Sequence, residues 1–80
     1  MSNAIIAQGL VTEGRLKNTQ AFRDEYRRLN SGEQMEVQKA FCQHYGISSP
    51  AFRARLSGDT RVSDSELVWF KKRVATYFPA

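Results

Sequence analysis

Apolar residues recur through residues 18–78 at the 3.6-residue spacing of helices, and no segment shows the strict alternation of a half-buried strand. Phe22, Tyr26 and Leu29 stand at i, i+4 and i+7, which predicts a first helix over about residues 19–29 with Asn18 or Thr19 as N-cap. Asn30-Ser31-Gly32 stops it. A second helix, 32–45, carries the stripe Val37, Phe41 and Tyr45, with Met35, Gln38 and Cys42 alongside. Ser31 and Gln34 have the spacing of a capping box, and Gly46 ends the helix where a left-handed backbone costs least. The third helix, 49–57, has Ser48 or Ser49 as cap, Pro50 in its first turn, Phe52 and Leu56 facing inward, and Gly58 at its end. The fourth, 64–78, opens on the capping box Ser63 and Glu66, with Asp64 favourable to the helix dipole. Leu67, Phe70, Val74, Tyr77 and Phe78 form its apolar stripe.

The expected fold is therefore all-α: a compact four-helix domain over residues 18–78. Residues 1–17 contain Ile5, Ile6, Leu10, Val11 and Leu16, but Gly9 and Gly14 interrupt any helix. They read as a loosely ordered N-terminal arm. Eighty residues make one domain at most, and a chain this short buries a small core.

Composition narrows the chemistry. The single cysteine, Cys42, excludes an internal disulfide and fits a reducing cytoplasm. With one histidine, His44, the chain cannot supply a Cys/His zinc site. There is no Ser/His/Asp set, no phosphate-cradling glycine loop and no carboxylate pair beside a base, so neither catalysis nor a small-molecule cofactor is expected. No apolar run approaches the length of a membrane span, and no basic segment leads into an apolar core as in a secretory signal. The formal net charge is +4. Residues 1–40 hold six basic and five acidic side chains, residues 41–80 six and three, so the excess lies in the half with the third and fourth helices. A basic excess favours polyanionic partners.

Residues 38–57 combine a helix, a short glycine turn and a second helix bearing arginines. In that order Phe41, Cys42, Tyr45, Gly46, Ile47 and Phe52 resemble the helix-turn-helix of small bacterial and phage repressor-like regulators. The resemblance covers Gln38–Ser57 and, loosely, the four-helix outline. It implies sequence-specific binding of double-stranded DNA, with the third helix in the major groove, in a transcription regulator or a mobile-element factor. By the same resemblance Ser48, Ser49, Pro50, Arg53, Ala54 and Ser57 face DNA, and Gln38 contacts a phosphate. Arg53 is the base-reading candidate, because a guanidinium can bond guanine bidentately. Lys39, Arg55 and Arg61 are candidates for the phosphate backbone, which sets register without reading sequence. One position departs from the family pattern. An aliphatic residue usually stands three after the apolar anchor, where this chain has Arg55. Leu56 is the alternative packing residue, and the facing of the third helix stays open between Arg53 and Arg55. Arg55 could also pair with Asp59 at i+4.

On the fourth helix Trp69 falls off the apolar stripe, near Arg73 and Thr76. An outward tryptophan suits an interface, which marks Trp69, Lys72, Arg73 and Thr76 as a homodimer contact. Packing of Trp69 on the N-terminal arm, or under Arg73, is the competing arrangement. A helical protein-interaction module without DNA binding is the alternative function, since a fold does not fix its use.

Overall fold

The computed structural model describes residues 17–78, which form four helices and no strand. The N-terminal arm expected over 1–17 lies, but for residue 17, outside the described residues. Helix α1 covers residues 17–27, α2 Ser31–Tyr45, α3 Ser49–Ser57 and α4 Asp64–Ala75. No helix among the described residues is long and apolar enough to cross a membrane.

Each helix contributes one phenylalanine to a common centre. Phe22 of α1, Phe41 of α2, Phe52 of α3 and Phe70 of α4 are all fully buried. Phe22 stacks on Phe70 with centroids 4.1 Å apart, and meets Phe41 and Phe52 at 5.6 and 5.5 Å. The remaining pairs lie 5.4 to 6.1 Å apart, most of them tilted or edge-on. The edge-on and tilted pairs have the separations and angles at which ring quadrupoles attract. Leu29, Val37, Val62 and Val74 complete the buried set. Tyr26, Tyr45, Ile47, Leu56 and Leu67 pack around it.

Polar side chains close the helix ends, and here the structure corrects several boundaries. Asn30, not Ser31, caps α2: its Oδ1 accepts from Glu33 N at 2.8 Å, and Glu33 Oε1 accepts from Asn30 N at 3.0 Å. Gln34, expected in that box, instead donates to Tyr26 O at the end of α1. Asn18 lies within α1 and is not its cap; it donates to Val62 O at 3.0 Å and Asp64 Oδ1 at 2.8 Å. The first helix ends two residues before the expected 29, because the N–H groups of Arg28 and Leu29 bond back three residues, to Glu25 O and Tyr26 O. Ser48 caps α3 and the Ser63–Glu66 capping box opens α4. Gly46 and Gly58 end α2 and α3 with φ of 63° and 94°, a region open mainly to glycine.

Helix α4 stops at Ala75 rather than 78. Thr76, Tyr77 and Phe78 donate their N–H groups three residues back, which tightens the chain into a turn. Phe78 leaves the apolar stripe, 43% exposed, with the Arg28 guanidinium 4.6 Å from its ring centre.

Phe22→Ala is expected to cost about 3–5 kcal/mol, the usual range for truncating a core phenylalanine. Phe78→Ala should cost only about 0.5–1 kcal/mol, the value of an exposed cation–π contact. Urea midpoints of the two variants against wild type check this, with an equal cost for both contradicting the assigned core.

Candidate functional site

The surface formed by α2, the turn Gly46-Ile47-Ser48 and α3 carries most of the residues singled out above. Its geometry follows from the core. Phe41 and Phe52 point inward, Ile47 packs against the core, and the Cys42 thiol donates to Ser48 O at 3.6 Å. The opposite faces of α2 and α3 then border a shallow groove of about 430 Å³. Met35, Cys42 and Ile47 supply its apolar lining; Gln38, Lys39, Gln43, Ser49 and Arg53 supply the polar one. Met35 is 74% exposed there.

Lys39, Ser48, Ser49, Pro50, Arg53, Ser57 and Arg61 are exposed, while Gln38, Ala54 and Arg55 are half-buried. Arg53 makes no hydrogen bond or ion pair among the described residues. Ser48 Oγ is committed to Ala51 N at 3.4 Å, and Phe52 N donates to Ser48 O. With Pro50 lacking an N–H, Ser49 alone keeps a free backbone donor in the first turn of α3. The Ser57 hydroxyl lies 3.1 Å from Ala54 O and 2.9 Å from Asp59 Oδ2, so it serves the end of α3.

The structure resolves the facing of α3. Arg53 points out and Arg55 points in. Arg55 Nε and Nη2 each donate to a carboxylate oxygen of Glu66 at 3.2 Å, and Nη1 donates to Ala51 O at 2.9 Å. Only 12% of the Arg55 side chain and 15% of Glu66 stay exposed. Arg55 is therefore paired with Glu66 and not with Asp59 at i+4. The guanidinium can face inward because Glu66 neutralises it. Glu66 Oε1 also accepts from Ser63 N at 3.2 Å, so one carboxylate both caps α4 and anchors α3. Nearby, burial pushes the Tyr45 hydroxyl above its ordinary pKa of 10.0; the Glu66 carboxylate adds to that rise and Arg55 opposes it.

Arg23 ties α1 to α3. Its Nε donates to Leu56 O and its Nη2 to Ser57 O at 2.9 Å, placing a positive charge on the last carbonyls of α3. Its i and i+4 neighbours gave no sign of this, because the partners lie 33 and 34 residues away.

Trp69 is half-buried rather than outward. It meets Phe41 edge-on at 5.7 Å and stacks on His44 of α2 at 4.8 Å with an interplanar angle of 18°. Among the described residues it does not pack under Arg73, and the packing on the N-terminal arm considered for it lies outside them. Lys72, Arg73 and Thr76 are exposed, with Thr76 Oγ1 donating to Arg73 O at 2.6 Å.

Glu66→Ala is expected to cost about 2–3 kcal/mol, since it removes a cap acceptor and leaves a half-buried guanidinium unpaired. Arg55→Leu should cost less, because Glu66 keeps the Ser63 N–H. Urea unfolding followed by Trp69 fluorescence ranks the two. For Tyr45, a folded-state pKa raised above the unfolded one gives stability that is complete below pH 10 and is lost as pH rises through the folded value. Tyr45→Phe should therefore lose less stability than wild type in alkaline urea titrations.

No family model matches the chain, and no curated protein or solved structure shows significant similarity to it.

Proposed function

We propose that the protein binds double-stranded DNA, with α3 in the major groove, as a transcription regulator or mobile-element factor. The observation that carries this reading is the division of labour between the two arginines of α3. Arg55 is consumed within the fold, and Arg53 is left exposed and unpaired on a short helix held at a fixed angle to α2. An unpaired guanidinium breaks no internal bond when it turns toward a base edge, whereas Arg55 would first have to abandon a half-buried carboxylate.

In this reading Arg53 bonds a base, preferentially guanine, and Ser49 and Ser57 lie beside it. Lys39, Gln38 and Arg61 contact phosphates and fix the register. With Trp69 accounted for inside one chain, a single copy is the proposed binding unit. The exposed Met35 in the α2–α3 groove favours the second reading, a module that binds another protein through an apolar contact.

Selection from random duplexes, followed by titration at several salt concentrations, tests the proposal. Affinity should fall steeply with log salt. Arg53→Ala should lose about 1–3 kcal/mol on the selected sequence and little on random duplex. Lys39→Ala should weaken both alike. No binding to any duplex at low salt rejects DNA recognition in favour of the interaction module.

A further inference from the structure

Two grooves share one wall. Lys39 and Gln43, one turn apart on α2, border the α2–α3 groove and also a second groove of about 320 Å³ between α2 and α4. Glu36, Ala40 and Arg73 complete the second. The packing of Trp69 explains why Arg73 is there. Trp69 seats α4 against His44 and Tyr45 near the end of α2, and Arg73 follows one helical turn later, beside an earlier part of α2. Arg53, Lys39 and Arg73 thus lie in sequence across α3, α2 and α4, three cations against the single carboxylate of Glu36.

We propose that Arg73 and Lys39 hold a backbone phosphate of duplex DNA in the α2–α4 groove, so that the contact surface spans three helices. This rests on the DNA-binding reading above and extends it to α4. Arg73 is exposed, and its side chain bonds to no other described residue, so its charge is available. A duplex backbone suits the band because it presents phosphates at regular intervals along an extended track. A compact anion would use one groove only.

The test is fluorescence anisotropy of a labelled random-sequence duplex over a range of low salt concentrations, with wild type, Arg73→Ala, Arg73→Lys and Lys71→Ala. Lys71 is also exposed and lies about 200° around α4 from Arg73, so its variant matches the change in net charge. Arg73→Ala should reduce the magnitude of the slope of log affinity against log salt by about 0.9, one phosphate contact. Arg73→Lys should restore the slope, and Lys71→Ala should leave it unchanged. Equal slopes for Arg73→Ala and Lys71→Ala overturn the role of Arg73 while leaving DNA binding intact. No binding by wild type overturns both. Thermal melting of the variants should match wild type, since Arg73 makes no side-chain bond to lose.

Discussion

Four aromatic rings, one per helix, meet within 6.1 Å of one another. Everything else in the domain is arranged around that contact. A small chain has few core residues to spend, and here eight apolar side chains make up the buried hydrophobic core of the described region. Helix α3 enters the core through Phe52 as its one fully buried side chain, so it is free in principle to rotate about its own axis at the centre. The rings limit this by their mixture of stacked and edge-on angles, which is satisfied in one arrangement and lost by a modest turn of any helix.

Rotation is fixed more firmly at the periphery, by polar side chains that reach from one helix to the end of another. Arg23 of α1 holds the last carbonyls of α3. Gln34 of α2 holds the end of α1, and Asn18 of α1 holds the loop before α4. Glu66 of α4 holds Arg55 of α3. No described buried side-chain nitrogen or oxygen lacks a partner. These bonds are directional where hydrophobic burial is not, so they specify which faces of α2 and α3 remain outward. Removing the α1 or α4 partner would leave α3 buried by the same ring but not oriented.

The sequence made the helices legible because their signals are local. Periodic phenylalanines, two glycine stops, Pro50 and the Ser63–Glu66 box act within a turn of the chain, and the all-α architecture follows from them. The capping box of α2 slipped by one residue because Asn30 and Ser31 are both good caps; Glu33, three after Asn30, decided it. Long-range pairing was illegible. Arg55 looked like a surface cation because nothing local distinguishes an arginine facing a carboxylate eleven residues on. Trp69 looked outward on a helical wheel because the wheel of α4 does not show the second neighbour, the end of α2. Arg53, already outward by the helix-turn-helix resemblance, is exposed, and the Arg55–Glu66 pair closes the choice between the two arginines.

That partner changes what the net charge means. A formal +4 suggests diffuse attraction to polyanions. Yet Arg23, Arg28 and Arg55 are occupied, respectively, by helix carbonyls, by Glu25 and the Phe78 ring, and by Glu66. The carboxylates of Glu25 and Glu66 are spent in the same pairs, so the overall balance is unaltered while its distribution is sharpened. Lys39, Arg53 and Arg73 are exposed on three different helices and pair with no other described residue. Attraction that depends on a few placed charges discriminates by geometry, since a ligand must match their spacing to gain from more than one. In the proposed reading a regular phosphate track would meet that requirement, and the Arg55–Glu66 pair contributes by withdrawing one of the two α3 guanidiniums from the surface.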